Sequence, residues 1–160
     1  MLSISMETVL KSSWAEFAPL LLVCGRGWRR ALNIMLVEHN LSDATAAPLI
    51  TLLRLGDRIP QGVLAERVGV EGPTLVRVLD GLESDGLICR VPDESDRRIK
   101  LVELTAAGTK VAERCEQCAA KLREIMLADI PAEQMLAALD VMKIIADKAA
   151  SFTGSQDDVE

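Results

Sequence analysis

The feature that most constrains this chain is the spacing of its turn residues between Pro60 and Gly108. Pro60-Gln61-Gly62 opens an apolar-patterned run through Val68, and Gly69 closes it. Glu71-Gly72-Pro73 opens a second run, which Asp85-Gly86 stops. Proline suits the first helical position, where its missing N–H costs nothing, and glycine after a helix adopts the left-handed conformation cheaply. Punctuation this close leaves room for two short helices joined by a tight turn. Leu64, Ala65, Val68 and Val70 form a compact apolar set across that turn. In the second run Leu75, Val78, Leu79 and Leu82 gather within about 100° of a helical wheel, while Thr74, Arg77, Gly81 and Ser84 point the other way.

The pattern then changes period. Leu87 to Val91 alternates and is β-prone, Pro92-Asp93-Glu94-Ser95-Asp96 has turn chemistry, and Ile99 to Leu104 alternates again. This predicts a hairpin whose tip carries Asp96-Arg97-Arg98. Thr105 is placed to cap a long helix reaching about Leu127, with Gly108 near its start. Two short helices, a hairpin and a following helix make a winged helix-turn-helix. The expected class is mainly α (α+β), with flanking helices as a pairing region.

Upstream, Met1 to Ser5 read as frayed, and a helix is expected from Glu7 or Ser13 to His39. Its apolar positions Phe17, Leu20, Leu21, Cys24, Trp28, Leu32, Met35 and Leu36 recur at three and four. Gly25 and Gly27 weaken it by up to ~1 kcal/mol each against alanine. Ser42 is the N-cap of the next helix, in which Pro48 removes a hydrogen bond and predicts a bend. Pro131 begins a final helix to about Phe152, patterned by Met135, Leu136, Leu139, Met142 and Ile145. The expected organisation is a helical dimerisation region at 1–40 and 109–152, a winged helix-turn-helix lobe at 41–108 and a polar, acidic, disordered tail at 153–160.

A chain of 160 residues is long enough to bury a real core. Aromatics make up only 2%, so that core is aliphatic. No apolar run approaches the roughly 18 residues of a membrane span, and the start lacks the basic region and cleavage site of a secretory leader. Without a transport signal, Cys24, Cys89, Cys115 and Cys118 read as reduced thiols of a cytoplasmic, nucleoid-associated protein. Cys115-x-x-Cys118 falls inside a helical pattern, with no second pair and a single histidine, His39. That is too few ligands for zinc. No constellation for catalysis is present, so no enzyme, metal or cofactor is expected.

The net charge of −6 argues against a polyanionic partner until its distribution is considered. Arg54 to Leu101 holds 8 basic and 9 acidic residues, whereas Thr109 to Glu160 holds 6 basic and 10 acidic. The acidity is concentrated away from the two-helix unit and hairpin. A helix entering the DNA major groove needs small or polar residues at its start and an arginine that can pair with guanine. Pro73, Thr74 and Arg77 meet that need. Arg97 and Arg98 on a hairpin tip suit a narrow minor groove, where the negative potential is deepest, and Asp96 can orient an arginine. Arg90 and Lys100 on the strands are candidates for phosphate contacts.

Ser95-Asp96-Arg97-Arg98, followed by Leu104-Thr105-x-x-Gly108 and preceded by Leu79-Asp80-x-Leu82-Glu83-x-x-Gly86-Leu87-Ile88, resembles the MarR family of bacterial transcription regulators. Pro73 to Asp80 is most similar to its SlyA-like branch. The resemblance implies a homodimer on a pseudo-palindromic duplex, released when a small aromatic or phenolic carboxylate binds. It places Pro73, Thr74 and Arg77 on recognition-helix contacts and Arg98 in the minor groove, supported by Asp96. Arg26 and Arg29, with Trp28 between them, fall where that branch lines its effector pocket. Repression is the family's commoner mode, and the SlyA-like branch often activates by displacing other DNA-binding proteins. Two other readings use the same residues: a redox-responsive regulator built on Cys24 or Cys115/Cys118, and a winged helix serving as a protein-interaction module.

Overall fold

The structure, a computed structural model, describes residues 6–39, 41–56 and 58–153. The expected frayed start and most of the expected tail, 154–160, lie outside the described residues. The chain divides into two compact units at Leu122/Arg123.

The first unit opens with α1 (Met6–Val37) and α2 (Asp43–Leu55). The chain between them is fixed locally. Ser42 accepts from the Thr45 amide at 3.3 Å, and Thr45 accepts from the Ser42 amide at 3.1 Å, a reciprocal capping box. Asn33 on α1 accepts the Asp43 amide at 2.9 Å, so the first helix also satisfies a donor at the start of the second. α2 runs on through Pro48, which is buried in the core, and ends at Gly56.

After Arg58 comes β1 (Ile59–Pro60), then α3 (Gln61–Val68) and α4 (Gly72–Ser84). β1 was not expected. Two residues carry no readable period, and their strand character comes from pairing Ile59 with Val102 and Pro60 with Leu101. Gly69 closes α3 at φ 74° and Gly86 follows α4 at φ 69°, both in the left-handed region where a side chain is strained. Pro73 is the second residue of α4, one place later than expected.

β2 (Ile88–Pro92) and β3 (Lys100–Leu104) form the wing, with the sheet ordered β1-β3-β2 and all pairs antiparallel. α5 (Ala106–Leu127) follows. Thr105 joins sheet to helix: its hydroxyl donates to the Gly86 carbonyl at 2.7 Å and accepts the Gly108 amide at 3.0 Å. An added Cβ at Gly108 would lie 1.7 Å from the Leu87 carbonyl oxygen, so only glycine lets α5 pass the hairpin this closely.

Leu36, Leu49, Leu52, Leu64, Leu75, Leu79, Leu82, Ile88, Val102 and Cys115 make one aliphatic core. The expected stripe of α1 is buried only at its C-terminal end, at Leu32 and Leu36, whereas Phe17, Leu20 and Leu21 are exposed. The second unit contains the end of α5 and α6 (Ala132–Thr153). On α6 Met135 and Ile145 are half-buried, and Leu136, Leu139 and Met142 are exposed.

Candidate nucleic-acid interface

α4 presents its apolar side, Leu75, Leu79 and Leu82, to the core and so turns the opposite side outward. Pro73, Thr74 and Arg77 are exposed on that side. Arg77 makes no ion pair or hydrogen bond among the described residues and is free to meet a ligand. Glu71 precedes the helix without a side-chain cap, and its carbonyl accepts the Thr74 and Leu75 amides, each at 3.0 Å.

The wing tip is built by two aspartates. The Asp93 carboxylate accepts the Ser95 amide at 2.8 Å and the Asp96 amide at 3.0 Å, with the Ser95 hydroxyl as a further donor. The Asp96 carboxylate then receives Arg98 through Nε at 3.0 Å and Nη2 at 2.8 Å, and its Oδ1 also accepts the Arg98 amide at 3.0 Å. The Arg98 side chain remains 91% exposed. This is a bidentate hold on one edge of the guanidinium, which leaves the side chain in solvent. The Arg98 bond holds the Asp96 carboxyl below the usual carboxylate range, and the Ser95 hydroxyl does the same for Asp93. Arg97 is exposed beside them, and Lys100 and Arg98 border a groove shared with Gln61 and Gly62 at the start of α3.

Arg90 is placed differently from the outward strand cation the sequence suggests. It is 18% exposed, with Nη2 at 2.5 Å from Asp80 and Nε at 3.7 Å from Glu83, both on α4.

Of the three residues expected to line an effector pocket, Arg29 borders a cleft. The cleft, of about 140 Å³, lies between α1, α2, the turn after α3, and α4. Arg29 shares it with Asp43, Ala47, Val68, Val70, Thr74 and Val78. Arg26 is exposed elsewhere on α1, and Trp28 packs against the core. Asp43 was not singled out in the sequence beyond its place after the N-cap. It faces Arg29 at 3.9 Å, and burial pushes its carboxyl above the usual range while Arg29 opposes that shift. Thr74 lines the cleft and also stands on the outward face of α4.

Cys24 is exposed, whereas Cys115 and Cys89 are disfavoured as thiolates. Cys115 is buried, and burial, with Cys118 adding to it, pushes its thiol up to about 11. Cys89 is raised by burial and by the Glu103 carboxylate at 3.3 Å. No group of histidine, cysteine and carboxylate side chains suited to a metal occurs among the described residues. No described helix is long and apolar enough to cross a membrane.

Two short helices, a three-stranded wing and a cationic tip define a winged helix-turn-helix protein. A sequence model of the MarR family matches residues 42–100, from the N-cap of α2 to the first residue of β3. Transcriptional regulator PA3341 is 39% identical in its crystal structure, covering 84% of this chain and 98% of that one at a TM-score of 0.74. A MarR family transcriptional regulator from Silicibacter pomeroyi is 30% identical, covering 81% and 87% at 0.66. The chain belongs to the MarR family. An E. coli MarR mutant solved in complex with operator DNA is 24% identical over 81% of this chain and 93% of that one, and shows the same fold at 0.70.

Proposed function

We propose that this protein is a sequence-specific DNA-binding transcriptional regulator that acts as a homodimer on an inverted repeat. The observation that carries the reading is the pairing of two cationic points on one lobe: unpaired Arg77 at the exposed start of α4, and Arg98 held outward by Asp96 at the wing tip. Pro73 and Thr74 let the start of α4 approach the major groove, Arg77 reads a base edge, and Arg97 and Arg98 enter the minor groove. The solved operator complex of a protein with this fold supports the assignment.

Dimerisation is favoured by the large apolar side chains left exposed along α1, among them Trp14, Leu20 and Leu22, and along α6, among them Leu136 and Ile144. A two-fold dimer presents its recognition helices about one turn of DNA apart, roughly 34–36 Å. The cleft at Arg29 is the effector site of this reading, as the similarity of Arg26 and Arg29 to the SlyA-like branch implies. A small aromatic carboxylate would meet Arg29 there in competition with Asp43. The protein works in the cytoplasm as a regulator rather than an enzyme, with repression as its mode.

Selection of bound duplexes from a random pool tests the function. Recovery of an inverted repeat, bound with strong salt dependence, is the expected result. A protein that retains no duplex even at low salt is not a DNA-binding regulator, and the protein-interaction reading of the winged helix would replace this one.

A further inference from the structure

Arg90 lies at the point where the wing meets the recognition helix. β2 is an edge strand, bonded only to β3. Leu87 accepts from the Thr105 amide and Asp93 donates to the Ile99 carbonyl, so the odd-numbered residues of β2 exchange bonds with β3. Antiparallel pairing then directs the Arg90 amide away from the sheet. Glu83 of α4 takes that amide at 3.1 Å with Oε1 and stands 3.7 Å from Nε with Oε2. Asp80, one helical turn earlier, takes Nη2 at 2.5 Å. The Nε atom is buried without a hydrogen bond, so what compensates its charge is the pair of carboxylates around it.

The placement is unsuited to a phosphate contact. The guanidinium is turned onto α4 and largely covered, and two carboxylates already claim it. The acids are equally unsuited to a helix whose only task is to approach DNA. On α4, Asp80 and Glu83 share a face and would repel a polyanion if left unpaired. Their pairing with one arginine from the wing removes that repulsion and fastens the edge strand to the helix.

We propose that Arg90 is a positioning residue: with Asp80 and Glu83 it locks the wing to the recognition helix, so that Arg77 and Arg98 reach the two grooves as one rigid body. The inference rests on the DNA-binding reading above and adds to it the device that sets the geometry.

The test uses the full chain and the duplex that the parent protein selects from a random pool. The variants are the double substitution Asp80→Ala/Glu83→Ala, Arg90→Met, and the triple. Alanine is a good helix former, so the double variant keeps α4 intact, and thermal melting confirms folding at the assay temperature. Without DNA, hydrogen exchange at the Arg90 amide should accelerate in the double variant while exchange at the core face of α4 stays slow. With DNA, the double variant should bind about three- to tenfold more weakly, two partly exposed pairs being lost, although it carries two fewer negative charges. Arg90→Met should weaken binding at least as much, since it also leaves the two carboxylates unpaired, and the triple should be no more than about twofold worse than the double, since both remove one interaction. The proposal is overturned if the double variant binds as tightly as the parent or more so, if its Arg90 amide exchanges at the parent rate, or if Arg90→Met lowers the salt slope by about one, the mark of a lost phosphate contact. A parent protein that selects no duplex overturns the regulator reading and this inference with it, whereas a tight parent with an unaffected double variant overturns this inference alone.

Discussion

Replacing Gly108 by alanine tests the packing that fixes the wing to α5, and two effects of opposite sign meet there. Alanine is the better helix former by up to about 1 kcal/mol in a helix interior, and Gly108 sits in the first turn of α5, where the gain is smaller. Against it stands space. The new Cβ would lie 1.7 Å from the Leu87 oxygen and 2.8 Å from its carbonyl carbon, both backbone atoms that no rotamer change can move. Relief requires α5 to back away from the hairpin. That strains the Thr105 bonds to the Gly86 and Leu87 carbonyls, at 2.7 and 3.0 Å, each contributing roughly 0.5–1.5 kcal/mol, and adds an overpacking cost of about 1–3 kcal/mol. The net expectation is a destabilisation of about 2–4 kcal/mol, the steric and hydrogen-bond costs outweighing the propensity gain. Urea unfolding at fixed protein concentration measures it, with Gly81→Ala as the matched control. Gly81 also lies in a helix but faces open space, so its variant should show only the propensity gain. If Gly108→Ala unfolds at the same urea concentration as the parent or higher, the close-approach argument is wrong.

Other outcomes follow from the same geometry. Arg98→Ala should weaken duplex binding at least ~10-fold and reduce the salt slope by about one, read by fluorescence anisotropy across a salt series; unchanged affinity would remove the wing from the interface. Arg77→Ala should cost ~1–3 kcal/mol and relax preference at one base position, which repeating the duplex selection would reveal. Ser42→Ala removes one half of the capping box and should cost ~1 kcal/mol of stability, read from the same urea curves. Asp96 has a folded-state pKa depressed by Arg98, so its contribution is complete above the ordinary carboxylate value of ~3.9 and is lost as pH falls through the depressed value below it. The Arg98 amide resonance should therefore be constant from neutral pH down to about 5, and a transition nearer neutrality would contradict the assignment. At neutral pH Cys115, with its thiol raised to about 11, should resist alkylation in the folded protein; rapid labelling would reopen the redox reading.

The helices and wing were legible because each is bounded by a residue with a local mechanism. Gly69 and Gly86 must take positive φ, Ser42 and Thr105 cap by their own hydroxyls, and Leu75, Leu79 and Leu82 keep helical period. The bidentate role of Asp96 was readable for the same reason, being two residues from the arginine it holds. What was not readable depends on distant partners. Ile59 and Pro60 become a strand only because β3 lies beside them. Asp43 enters a cleft because α1 brings Arg29 to it, and Arg26 and Trp28, three residues or fewer away, leave by the turn of the same helix. Arg90 looked like a free strand cation because neither its period nor its neighbours in sequence reveal the two carboxylates of α4. Gly108 was visible as a motif position, but its reason, the Leu87 carbonyl, is a tertiary contact.

The same distinction explains how a chain of net charge −6 can serve a polyanion. Net charge counts every carboxylate alike, whereas DNA senses mainly those within about 8 Å that remain uncompensated. In this lobe several acids near the proposed interface are engaged, although Glu71 before α4 and Glu94 in the wing turn are exposed. Asp80 and Glu83 face Arg90, Glu103 faces Arg58, Asp96 faces Arg98, and Asp93 is occupied by amides and a hydroxyl of its own turn. The cations at the proposed contact points differ. Arg77 and Arg97 have no partner among the described residues, and Arg98 is held along one guanidinium edge with its side chain 91% exposed. Acids paired within the lobe and arginines that point outward put positive charge at the proposed contact points while the whole chain stays acidic. Placement, not total, decides the sign of the field that a duplex would meet.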